Sequence, residues 1–182
     1  MASKIKYDRR EVNALPISVN PFGKRVFVDA TNGNNAGGLT PQTAYLTIQL
    51  GLADMEAGDE MVIAPGTYTL TATFTPLANQ TFRAAVVRAN FPTVTITSTS
   101  ALTGDMITVD VSGLYFEGIQ FLAGDANLAT LVDIADGGPV NGCGFESCVF
   151  NGADKTSVVG IQADDSTATN FPTGLVVNNC LF

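Results

Sequence analysis

LYFEGIQF (114–121), CGFESCVF (143–150) and LVVNNCLF (175–182) carry one pattern three times: apolar–x–apolar–x–x–apolar–x–apolar. Five residues separate Phe116 from Phe121, Phe145 from Phe150 and Val177 from Phe182. In an extended strand, side chains two apart share a face. A spacing of five would put the second member of each pair on the opposite face unless the residues between them turn the chain. Glu117-Gly118, Glu146-Ser147 and Asn178-Asn179 occupy that place. Gly118, and Asn178 or Asn179, are residue types that accept a left-handed corner. Each repeat therefore reads as two short strands meeting at a bend, with one face kept inward.

A further apolar strand precedes each repeat: ITVDV (107–111), VDI (132–134) and VGI (159–161). Val109 lies seven residues before Phe116, Ile134 eleven before Phe145, and Ile161 sixteen before Val177. One corner is thus fixed while another lengthens. Three strands per turn describe an all-β, single-stranded parallel β-helix, in which equivalent side chains stack between coils about 4.8 Å apart. Four interior ladders follow: Leu114/Cys143/Leu175, Phe116/Phe145/Val177, Ile119/Cys148/Cys180 and Phe121/Phe150/Phe182. The cysteines read as small buried hydrophobes. Three of them make no disulfide framework, although Cys148 and Cys180 are placed to join if oxidised. Phe182 stands at a rung position with no capping segment after it. The expectation is a natural chain that continues, or a last coil that stacks on another subunit.

Toward the N-terminus the pattern changes. Residues 1–23 read as an extended arm broken by Pro16, Pro21 and Gly23, and residues 24–182 as the coiled body. Arg25–Asp29 is a short strand. Thr47 caps a helix expected over 47–57, with Ile48, Leu52 and Met55 on one face and Gly58 as its stop.

Apolar residues are 46% of the 182 and charged residues 14%, which excludes a disordered chain. There is no histidine, which excludes serine–histidine triads and histidine metal sites within the chain. The net charge of −8 is split. Residues 1–25 hold six cations against two carboxylates, and the remainder three against fifteen. An acidic body argues against nucleic acid as a partner. The basic arm, with Lys4, Lys6, Arg9 and Arg10, suits docking on an acidic surface. No run of 18 apolar residues suggests a membrane span, and Met1–Arg10 lacks the apolar run of a secretory signal.

The stretch VFVDATNGNNAGGLTPQTAYLTIQLGLADMEAGDEMVIAPGTY (26–68) resembles the N-terminal region of right-handed parallel β-helix proteins of the pectate-lyase-like superfamily. The likeness rests on Val28-Asp29, Asn32-Gly33, Gly38-Leu39-Thr40-Pro41, Ala44, Thr47-Ile48, Gly58-Asp59, Val62-Ile63 and Pro65-Gly66-Thr67-Tyr68. It implies a right-handed coil whose first turn is capped by the helix, with the first long strand ending in PGTY. The superfamily includes polysaccharide lyases, glycoside hydrolases, adhesins and bacteriophage spike proteins, so fold alone does not set function. The lyases' calcium-binding carboxylates with a nearby base have no match, and Asn34 stands where relatives often carry aspartate. No cofactor or metal is expected.

Glycoside hydrolysis needs two carboxylates roughly 5–9.5 Å apart. Stacking Val109, Ile134 and Ile161 brings Asp110, Ala135 and Gln162 together, a single carboxylate. Asp136, Asp164 and Asp165 fall where the variable connection leaves the coil and are the candidates for catalysis, though turn-forming acids in solvent need no such role. Arg83, Arg88 and Lys155 have no carboxylate cluster beside them in this alignment. Phe171, in the longest connection, and Tyr115, pointing outward, are the expected surface contacts.

The combined expectation is a bacteriophage virion structural protein. It would be a decoration, fibre or spike component of head or tail, assembled in the host cytoplasm and partnered by other virion proteins and by copies of itself. Lys4, Lys6, Arg9 and Arg10 would anchor it. The alternatives are a tailspike-like polysaccharide lyase or depolymerase acting on host surface polysaccharide, and a surface adhesin or carbohydrate-binding module.

Overall fold

The computed structural model describes residues 23–87, 91–124, 128–134, 140–153, 158–163 and 173–182. The basic arm therefore lies outside the described residues. Among those described, the fold is all-β with parallel sheets and one short α-helix. The first sheet has six strands in the order β1 (Arg25–Val28), β2 (Glu60–Ile63), β4 (Thr81–Ala84), β7 (Tyr115–Glu117), β10 (Gly144–Glu146) and β13 (Val176–Asn178). The second sheet joins β3 (Gly66–Leu70), β5 (Val94–Ser98), β8 (Ile119–Leu122) and β11 (Val149–Asn151). The third joins β6 (Gly104–Val109), β9 (Leu128–Ile134) and β12 (Val159–Ala163). From β4 onward the chain visits first, second and third sheet in turn, then returns to the first one strand further along. Each circuit is one coil, and the bridge between Phe74 and Ile107 extends the third wall into the coil before it.

In-register pairing aligns like side chains, and the ladders expected from the repeats are present. Phe116 pairs with Phe145 and Phe145 with Val177. Phe82 extends the same row, so that Phe82, Phe116 and Phe145 stack with near-parallel planes at centroid distances of 5.0 and 5.1 Å. Phe121, Phe150 and Phe182 form a second stack at 5.2 and 5.0 Å. The two stacks meet edge to face, as Phe116 does with Phe121 at 5.8 Å. Both geometries suit the ring quadrupoles. Phe82, Phe116, Phe121 and Phe145 are all fully buried.

The corner between first and second sheets is set by the backbone. Gly118, Ser147 and Asn179 have φ of 70°, 53° and 52°, so the second residue of each insertion takes the left-handed conformation. Asn179 Nδ2 donates to Ser147 Oγ at 2.9 Å, binding successive corners together. Sequence reading anticipated the corner at Gly118 and at one of the two asparagines. It did not single out Ser147, because serine has no marked liking for that region.

Three expectations need correction. The α-helix, α1, spans Ile48–Ala53 and stops short of 57. Thr47 caps it as expected, its hydroxyl accepting from Leu50 N. Beyond it, Asp59 captures two backbone donors, Lys24 N and Glu56 N, each at 2.7 Å. That separate turn takes residues out of the helix, while Met55 stays buried. The PGTY segment does not end a long strand. It straddles the corner between β2 and β3, where Tyr68 is buried and its hydroxyl donates to Ala64 O at 2.8 Å and Val28 O at 3.3 Å. In the third sheet Ile161 pairs with Val132, not with Ile134, and Ala163 takes the place beside Ile134. A slip of two residues keeps every side chain on its own face, so alternation could not detect it.

Candidate functional site

The outer face of the first sheet carries a row of charged side chains. Alternation turns Val26, Met61, Phe82, Phe116 and Phe145 inward, so their neighbours in each strand face out. Arg25 pairs with Glu60, Arg83 with Glu117, Glu117 with Glu146, and Glu146 with Asn178. Glu60 is 8% exposed and takes hydrogen bonds from Arg25 Nε and, at 3.3 Å, from Arg83. Glu146 accepts from Asn178 Nδ2 at 2.7 Å. Glu117 and Glu146 are half-buried side by side, with backbones about 4.8 Å apart as for any paired strands. Strand pairing thus sets Arg83, Glu117 and Glu146 in one row, while Glu60, opposite Thr81 in the neighbouring strand, reaches Arg83 diagonally through its side chain. Such a surface offers both donors and acceptors to a polyhydroxylated ligand, and an adjacent carboxylate pair to acid–base chemistry.

The expectation that no cation has carboxylates beside it is thus overturned at Arg83. A signal was present. Phe-Arg (82–83), Phe-Glu (116–117), Phe-Glu (145–146) and Val-Asn (177–178) are equivalent pairs, but the segment after TFRA (81–84) lacks the five-residue spacing that aligns the later repeats, and both glutamates fall in the two-residue insertion, where Glu117 is expected only to point outward.

Tyr115 also requires correction. It belongs to the outward set, yet it is 3% exposed and therefore no surface contact. Its hydroxyl is buried and has no hydrogen-bond partner among the described residues. Burial, with the nearby charges of Glu117 and Glu146, holds the phenol well above its ordinary titration range. Asp136, Asp164, Asp165 and Phe171, like Lys4, Lys6, Arg9 and Arg10, lie outside the described residues. Among the described residues, no three acids or cysteines come together as a metal site.

No protein-family model matches this chain, and no curated protein does. Among solved structures, a chain described as a rhamnogalacturonan lyase superimposes with a TM-score of 0.61 at 14% identity. The match covers 87% of this chain and 51% of the lyase, so this chain spans about half the lyase's length. At that identity the likeness shows the fold: a parallel all-β architecture shared with a polysaccharide lyase.

Proposed function

We propose that this chain is a right-handed parallel β-helix of a bacteriophage particle surface, a spike, fibre or decoration component, whose first sheet meets polysaccharide. Right-handedness is what nearly all parallel crossover connections adopt. In this reading α1 closes the first coil, with Ile48 buried and Gly51 set against Val26, Val28 and Met61. The observation that carries polysaccharide contact is the row Arg83, Glu117 and Glu146 on a rigid sheet, with Glu60 bonded to Arg83, in a fold shared with a polysaccharide lyase. The particle assignment draws its support from the sequence, where a basic arm precedes an acidic body. Lys4, Lys6, Arg9 and Arg10 then hold the arm to the particle.

A second reading, polysaccharide cleavage, is favoured by one specific feature. Glu117 and Glu146 pair directly, and paired carboxylates about 5–5.5 Å apart serve as acid and nucleophile in retaining glycosidases.

Two measurements test these readings. The chain should be detected in purified particles, and Lys4, Lys6, Arg9 and Arg10 changed together to alanine should release it. Retention on the particle would refute the anchoring role. Arg83→Ala should weaken binding to the host polysaccharide at least tenfold, and Glu117→Gln should abolish depolymerisation only under the second reading.

A further inference from the structure

Cys148 and Cys180 occupy equivalent places on adjacent coils. Val149 bridges Leu181 in parallel, Leu181 N donates to Cys148 O at 3.0 Å, and Phe150 N donates to Leu181 O at 2.8 Å. That ladder puts Cys148 beside Cys180 in register. Paired positions on neighbouring strands lie about 4.8 Å apart at Cα, inside the 4.4–6.8 Å span that a disulfide bridges. The two thiols are oriented alike. Cys148 Sγ donates to Glu146 O at 3.4 Å, and Cys180 Sγ to Asn178 O at 3.3 Å, each to the residue two before it. Each also approaches a carbonyl of the preceding coil, Phe116 O and Phe145 O, at 3.5 Å. Neither is in a disulfide.

We propose that Cys148 and Cys180 form a redox-active dithiol that a low-molecular-weight disulfide oxidises to a bond between the two coils. The environments assign the order of events. Cys148 is fully buried and Cys180 half-exposed. Contact with the Cys148 thiol holds Cys180 below the ordinary thiol range, while burial pushes Cys148 up. The thiolate is the attacking form, so Cys180 reacts first. Its sulfur attacks one sulfur of glutathione disulfide, whose S–S bond breaks to release one glutathione thiolate. Cys148 then gives its proton to solvent and attacks the Cys180 sulfur of the mixed disulfide, releasing the second glutathione. Two protein thiols are oxidised and one glutathione disulfide is reduced to two glutathiones. Cys143 stands apart, on the ladder with Leu114, its thiol directed to Val111 O at 3.5 Å. The bond ties together the coils containing β10 and β13 without changing their register.

The test uses the full chain incubated with glutathione disulfide, then denatured and assayed for free thiol and by peptide mapping. The expected result is a fall from three titratable thiols to one, with the Cys148 and Cys180 peptides joined and Cys143 free. Cys148→Ala should stop at a glutathione adduct on Cys180, and Cys180→Ala should leave Cys148 unreacted. The proposal is overturned if wild type accumulates the adduct without losing a second thiol, or if Cys143 is found in the crosslink. Peptide mapping of the wild type decides the matter even where a variant does not fold. The outcome is independent of polysaccharide contact or particle location.

Discussion

Phe116→Ala removes the middle ring of the inner stack. Phe116 is fully buried, faces Phe82 at 5.0 Å and Phe145 at 5.1 Å, and meets the edge of Phe121 at 5.8 Å. Truncating a buried phenylalanine costs about 3–5 kcal/mol. The upper part of that range applies here, because coils locked in register on both sides cannot collapse into the space, and two stacked neighbours are each worth about 0.5–1.5 kcal/mol beyond burial. Phe182→Ala is the internal comparison. That ring is 77% exposed and, among the described residues, stacks on Phe150 alone, so its loss should cost about 1 kcal/mol. The assay is urea unfolding followed by far-UV circular dichroism, since the chain has no tryptophan. The midpoint should shift strongly for Phe116→Ala with an unchanged slope. In thermal melts the same loss corresponds to roughly 8–20 °C for a chain of this size. A cost below about 1.5 kcal/mol, or one equal to that of Phe182→Ala, would refute the view that the stacked interior carries the stability.

Tyr68→Phe should cost about 1–3 kcal/mol, because Ala64 O loses its donor and Ala30 N its acceptor, while Val28 O keeps Ala64 N at 2.8 Å; urea midpoints measure it. The same tyrosine gives the wild type an alkaline signature. Burial raises its phenol to about 12, against about 10 in the unfolded chain. Between those values the native state holds more protons, so stability is intact below pH 10 and falls as pH rises toward 12, a slope that Tyr68→Phe should flatten in pH-dependent melts. Glu60→Ala deprives Arg25 and Arg83 of the carboxylate they share and should destabilise by about 1–2 kcal/mol, a loss that added salt reduces.

The body of the fold was legible because stacking imposes the same interior residue type at the same place. Phe116, Phe145 and Val177, then Phe121, Phe150 and Phe182, announce the ladders before any coordinates do. What was lost has definable causes. The earlier coil holding Phe82 differs in length from the later ones, so its Arg83 was not brought beside Glu117. Asp59 ends the turn after α1 through two backbone hydrogen bonds that no helical periodicity records. Tyr115 shows that facing away from an interior is a statement about direction, whereas exposure depends on what lies over the sheet. The site residues first singled out were chosen as acids in a growing connection. The row Arg83, Glu117 and Glu146 sits instead on strands, and in the sequence both glutamates fall in the insertion that marks the corner.

The left-handed corner at Gly118, Ser147 and Asn179 contrasts with the connection from third sheet to first. Between in-register positions, that connection takes six residues from Val109 to Tyr115, ten from Ile134 to Gly144, and thirteen from Ala163 to Val176. The pairing on either side is indifferent to the change. Loop length along that edge is therefore a free parameter of the architecture, while in these same coils the opposite bend keeps one template, which the connection from Ala84 to Val94 in the coil before them does not share. Foreign peptides grafted along this seam should be carried at regular vertical intervals, which makes the scaffold a natural ruler for multivalent display.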